Sequence, residues 1–161
     1  MIRAGLLHVP FGTGRHAPIA AEDQASVIVS ILEDPASHRC KIYPLYGPAE
    51  FTHKEIAQLL GRVLGKDVQY KQVSIEMWIQ IMASGGQQPP AEHSARAMYG
   101  EFEQKPEGRA GDSFLVQHLR EVAIDHHDGV FAGTNDVVKK IGGRQPTTLE
   151  EFITTHRQAF G

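Results

Sequence analysis

The apolar positions of the chain fall into short runs and helical stripes separated by glycine and proline. Ile2 to Val9 is a short apolar run ended by Pro10, which predicts a strand leading into the turn Phe11-Gly12-Thr13-Gly14. A second short strand is expected over Ala17 to Ala20. Ala21 to Glu33 carries Glu22 and Asp23 in its first turn, where the helix dipole favours acids, and Val27, Ile28, Ile31 and Leu32 as an inward stripe. Pro35 ends it. Lys41 to Tyr46 is rich in β-formers and predicts a strand closed by Gly47-Pro48.

The clearest helix follows. Thr52 and Glu55 fit a capping box, Ile56, Leu59, Leu60 and Val63 make one apolar face, and Gly65 stands where a helix terminates. Asp67 to Val73 reads as a strand, and Ser74 can cap a helix with Ile75, Trp78, Ile79 and Met82 on its apolar face, ended by Gly85-Gly86. The order to this point is ββαβαβα. Gln87 to Asp112, with Pro89-Pro90 and a candidate helix over Ala91 to Phe102, reads as a mobile excursion over the body of the fold. Helices are then expected from Ser113 to His126 through Leu115, Leu119 and Val122, from Asn135 to Ile141, and from Thr148 to Phe160. The last has Leu149, Phe152, Ile153 and Phe160 as its buried face, and Thr147 and Thr148 each precede a glutamate by three positions.

Composition narrows the class. A chain of 161 residues with 41% hydrophobic and 22% charged residues is the size of one folded domain spanning 1–161, or of a fragment that completes a domain of roughly twice that length. The net charge of −3 and the scattered arginines argue against a nucleic-acid or membrane-surface partner, both of which need a clustered basic face. Protonating all nine histidines would carry that charge from −3 to +6. One cysteine, Cys40, excludes an intramolecular disulfide, and Met1 to Pro10 lacks the apolar core of a signal peptide; a cytoplasmic location is expected. Arg39 beside Cys40 could lower its pKa, but a solvated loop arginine is the preferred reading and no reactive thiolate is expected.

Candidate chemistry is sparse. Gly12, Thr13, Gly14, Arg15 and His16 form either a plain β-turn or a cleft-lining loop, in which Arg15 could hold a phosphate or carboxylate. The loop lacks a third glycine and does not open directly into a helix, so it is not a dinucleotide fingerprint. Gly108 to Gly111 and Gly129 to Gly133 fail the same strand-loop-helix test, and no P-loop or nucleophile elbow is present. Asp125-His126-His127-Asp128 offers metal-ligand chemistry, but adjacent helical residues diverge by about 100° and no H-x-x-x-H or C-x-x-C pair accompanies them. The local pattern therefore predicts no metal site. His118 and His156 fall beside apolar helical residues and read as hydrogen-bonded core-edge positions. The connectors Asp128 to Asp136, where Thr134 or Asn135 can cap the next helix, and Gly142 to Thr147 are explained by turn chemistry.

Taken in order, Val9-Pro10-Phe11-Gly12-Thr13-Gly14-Arg15, Pro18-Ile19-Ala20-Ala21-Glu22-Asp23-Gln24-Ala25, Tyr43-Pro44-Leu45-Tyr46-Gly47-Pro48, Gly129 to Asp136 and Gly142 to Thr147 resemble the carboxy-terminal half of NmrA-like, atypical short-chain dehydrogenase/reductase proteins. That resemblance implies the carboxy-terminal part of a Rossmann-type NAD(P)-binding fold: a helix-rich substrate-side lobe with few short strands and six or seven helices. The amino-terminal dinucleotide-binding half would then be absent from the chain. It implies an NAD(P)-dependent oxidoreductase of quinone or azo-dye reductase type, not catalytic by itself, or else a non-catalytic NAD(P)-linked sensor or interaction module. The expected partners are a small-molecule substrate and either the missing Rossmann half or a second copy, with the short form being a natural product or a truncation. On the same resemblance Gly12, Gly14 and Arg15 face the cleft, and Asp23 caps and positions its helix.

Overall fold

The structure is a computed structural model and describes residues 5–83 and 112–160. Two strands, β1 (Leu6–Val9) and β4 (Gln69–Gln72), pair in parallel, Leu6 opposite Gln69 and Val9 opposite Gln72. Between them in sequence run β2 (Arg15–His16), α1 (Ala21–Glu33), β3 (Phe51–Thr52) and α2 (His53–Leu64), with β2 and β3 forming a two-residue antiparallel bridge. After β4 come α3 (Ile75–Ala83), α4 (Asp112–His127), α5 (Val137–Lys140), α6 (Leu149–Thr155) and α7 (Arg157–Phe160). Two apolar clusters hold these elements to the parallel pair. One gathers Ala57, Leu59 and Leu60 of α2, Val68 before β4 and Ile153 of α6, with Leu7 and Tyr70 against it. The other gathers Val9, Phe11, Trp78 of α3 and Ala123 of α4, again touching Leu7 and Tyr70.

The capping signals act as their chemistry dictates. Thr52 Oγ1 accepts from the Glu55 N–H at 3.2 Å while the Thr52 N–H donates to Glu55 Oε2 at 2.7 Å, and Gly65 closes α2 in the left-handed region at φ 71°. Thr148 and Glu151 repeat the box on α6. Thr147, the other candidate, is engaged elsewhere. Asn135 Oδ1 accepts from the Val137 N–H at 3.1 Å and so covers the start of α5.

Four expectations are corrected. The strand over Ala17 to Ala20 lies earlier, at Arg15–His16, because Pro18 has no N–H to give to a ladder. Lys41 to Tyr46 is not a strand: Pro44 interrupts it, its carbonyl accepts from Asn135 Nδ2, and Ile42 is 93% exposed. On α1 the inward row is Asp23 and Val27, while Ile28 and Leu32 are 52% and 71% exposed. The final helix divides into α6 and α7 at His156, whose φ of −101° and ψ of 24° leave the helical region. The Gly85-Gly86 terminator, the helix over Ala91 to Phe102 and the excursion from Gln87 lie outside the described residues, except that Asp112 opens α4.

Asp23 explains the face that α1 buries. Its carboxylate is fully buried, accepts from the Thr147 N–H at 2.7 Å and from Thr147 Oγ1 at 3.2 Å, and meets Arg144 Nε at 3.2 Å. The cap position of α1 is Ala20, which supplies no side-chain bond, so Asp23 does not cap its own helix but binds the Gly142 to Thr147 connector. Asp23→Ala should cost about 2–3 kcal/mol in urea denaturation, since it removes a fully buried carboxylate that accepts two bonds from Thr147. Arg144→Ala, whose side chain is 47% exposed, should cost under about 1 kcal/mol. Equal losses would show that the ion pair, rather than the bonds to Thr147, holds the connector.

Candidate functional site

Because β1 and β4 run in parallel, the segments leaving them emerge at one edge. In open α/β sheets that carboxyl edge is where ligands bind. Here it is built by the turn after β1 and by the last turn of α4. Gly14 is buried, and a Cβ on it would stand 1.6 Å from the carbonyl oxygen of His126. Gly12 has φ 57°, and a Cβ there would come within 2.9 Å of the His127 ring. The Tyr70 hydroxyl donates to the Gly12 carbonyl at 3.1 Å, fixing the turn to β4. Both glycines are thus demanded by the close approach of α4.

That approach brings three histidines from separate elements together: His16 on β2, His53 at the start of α2 and His126 near the end of α4. Their nearest ring nitrogens all lie within 4.8 Å of one another. His16 and His53 stack with centroids 4.7 Å apart and planes 21° from parallel. His126 stands across them at 4.9 Å from His16 and 5.4 Å from His53, 87° and 75° from their planes. Phe11 lies 4.3 Å from His126 and 4.5 Å from His53, and Phe131 closes against His126 at 4.6 Å. The Nδ1 atoms of all three imidazoles are buried with no hydrogen-bond partner among the described residues.

Removal from water makes the imidazolium form costly. Burial, then the charge of His126, lowers His16 to about 4. Burial, then His16 and His126, lowers His53 to about 3. Burial also lowers His126, against a smaller opposing pull from Asp125. At neutral pH the group is three uncharged rings packed on phenylalanine.

The residues picked out from sequence are distributed as follows. Gly12, Thr13 and Gly14 form the turn at this edge, with Thr13 exposed at its tip, and His16 joins the histidine group. The Arg15 guanidinium is engaged by protein: Nη2 donates to the Glu50 carbonyl at 2.9 Å and Nη1 pairs with Glu55 Oε2 at 3.1 Å. Cys40 is exposed, with φ 59°. His118 is exposed, and half-buried His156 packs its ring 4.5 Å from Phe152. His53 was missed. It directly follows the Thr52 cap, a position that sequence reads as a helix start, and no spacing rule links it to His16 or His126. A separate groove lined by Pro18, Ala20, Thr147 and Phe152 holds no titratable side chain.

No family model matches the chain. It is 29% identical over 157 residues to an NAD(P)H azoreductase from Xenophilus azovorans, covering 98% of this chain and 46% of that protein. It is also 27% identical over 152 residues to an uncharacterized oxidoreductase of Bacillus subtilis, covering 94% and 44%. The chain thus spans about half the length of the curated relatives it matches. Among solved structures, an NADPH-dependent quinone oxidoreductase from Escherichia coli superposes with a TM-score of 0.71 at 21% identity, over 96% of this chain and 47% of that one. A Citrobacter triphenylmethane reductase complexed with NADP(H) gives 0.68 at 22%, over 98% and 45%.

The fold is therefore part of a Rossmann-type NAD(P)-binding architecture, α/β with seven helices and four short strands among the described residues. The curated relative, an NAD(P)H azoreductase, agrees with the resemblance to the NmrA-like, atypical short-chain reductases, and the solved structures agree with its fold. No helix among the described residues is long and apolar enough to cross a membrane.

Two outcomes follow from this geometry. Gly14→Ala should destabilise the protein by more than about 3 kcal/mol, because both atoms in conflict belong to backbone; an unchanged urea midpoint would show that α4 does not close on the turn. The unfolded chain takes up protons on His16 and His53 near pH 6.5, whereas the folded chain resists until about pH 4 and about pH 3. Stability from these groups is thus complete above pH 6.5 and declines as pH falls below it. Urea midpoints at pH 7.5, 6 and 5 should decrease in that order, and His53→Phe should flatten the trend.

Proposed function

We propose that the chain forms the substrate-side half of an NAD(P)-dependent reductase acting on an electron-accepting small molecule of quinone or azo-dye type. The observation that carries this reading is the packed group of Phe11, His16, His53, His126 and Phe131 at the carboxyl edge of the parallel pair, the edge at which open α/β sheets receive ligands. The kinship over nearly the whole chain to an NAD(P)H azoreductase supports it. The hydride chemistry belongs to the cofactor, and the part assigned to this chain is to shape and dry the site around the acceptor.

The described residues do not fit the phosphates of a dinucleotide. The space beside Gly12 and Gly14 is taken by His127 and by the His126 carbonyl, Arg15 is held by Glu50 and Glu55, and the turn leads into a strand rather than a helix amino terminus. The chain alone is accordingly expected to bind NADPH weakly. Calorimetric titration should show no saturation in the micromolar range, and micromolar affinity would overturn this assignment.

A second reading, a non-catalytic sensor or interaction module, draws on the exposed Ile28, Val29 and Leu32 of α1. Joining the chain to the dinucleotide-binding half of the Xenophilus azovorans azoreductase separates the two. NADPH-dependent bleaching of an azo dye or reduction of a quinone is the outcome expected of a substrate half; NADPH binding without turnover of either acceptor favours the sensor.

A further inference from the structure

We propose that His16, His53 and His126 form a binding site for one divalent transition-metal ion of the zinc class. Three imidazoles, contributed by β2, α2 and the end of α4, present nitrogens that are all within 4.8 Å of one another. A tetrahedral ion with metal–nitrogen bonds of about 2.1 Å needs its ligands about 3.4 Å apart. The longest separation therefore has to shorten by no more than about 1.4 Å, a change within reach of side-chain rotation alone. His16 and His53 must turn from their stacked arrangement so that their nitrogens converge toward the edge-on His126.

A second observation points the same way. Each of the three rings keeps a buried Nδ1 with no hydrogen-bond partner among the described residues, and His53 is only 8% exposed. A buried polar atom without a partner costs roughly 1–3 kcal/mol, and three at one place is a concentration that packing alone does not call for. A bound ion supplies a reason for the rings to be held there, since one nitrogen of each can ligate it. The last turn of α4 lends the negative end of its dipole to a cation at His126, with Asp125 nearby, although the amino terminus of α2 at His53 opposes it. An all-imidazole set selects zinc, cobalt, nickel or copper over the oxygen-seeking magnesium and calcium. Three protein ligands are the number found where a fourth position is left for water or a small molecule.

The test uses the full chain, freed of metal by chelator and titrated with Co²⁺ while the visible spectrum is followed, then back-titrated with Zn²⁺. Expected are saturation at one equivalent, a visible band of low-coordinate cobalt that Zn²⁺ abolishes, and a higher unfolding temperature with Zn²⁺. His53→Gln and His126→Gln should each weaken binding at least about a hundredfold, while His127→Gln, which alters an exposed neighbour, should leave it unchanged. X-ray absorption of the zinc-loaded unmutated chain should count three imidazole nitrogens, and this readout stands even where a variant fails to fold. Absence of saturable binding, equal loss in His127→Gln and His53→Gln, or fewer than three imidazoles on the ion would each overturn the site.

Discussion

The contact of the Gly14 backbone with the carbonyl of His126 governs the functional edge of this molecule. It lets the last turn of α4 settle on the loop after β1 at a distance no side chain would permit. With α4 seated there, His126 enters the space between Phe11, His16 and His53, and Ala123 reaches the cluster formed by Val9 and Trp78. The bridge between β2 and β3 is the complementary constraint: two residues on each side fix His16 against the chain that begins α2. Neither element is large. Their effect comes from joining segments that are remote in sequence at the point where the parallel pair ends.

Much of the architecture was legible because local chemistry specified it. The capping boxes at Thr52 and Thr148, the terminator at Gly65 and the bounds of α1 are written within four or five residues of where they act. The strand reading failed at Ala17 to Ala20 and at Lys41 to Tyr46, where β-forming composition was present but no ladder forms among the described residues and Pro18 and Pro44 each withhold an N–H. A strand is a property of two segments, and only one is visible at a time. The stripe on α1 failed differently: Ile28 and Leu32 have the right spacing, but the buried polar link through Asp23 overrode hydrophobicity in setting the helix's rotation.

The site was legible only in part. The glycine turn stands out from its composition, and His126 from its neighbours, yet the grouping of His16, His53 and His126 depends on three elements whose mutual placement no spacing rule encodes. Arg15 shows the opposite error. Its type and position suggest an anion-binding role, whereas Glu50 and Glu55, lying 35 and 40 positions away in sequence, claim its guanidinium within the folded chain.

The bond between Asp23 and Thr147 has a temporal side. Its partners are 124 residues apart, so α1 is synthesised long before anything exists to neutralise or bind the carboxylate on its inner face. Until residues 144–147 emerge, α1 must keep Asp23 in water, and the surface centred on Val27 cannot be sealed. Closure of this side of the fold is thereby made conditional on residues 144–147 being in place. A polypeptide that lacks residues 144–147 would differ from one that has them by an unclosed α1, giving a quality-control protease a ready basis for telling them apart.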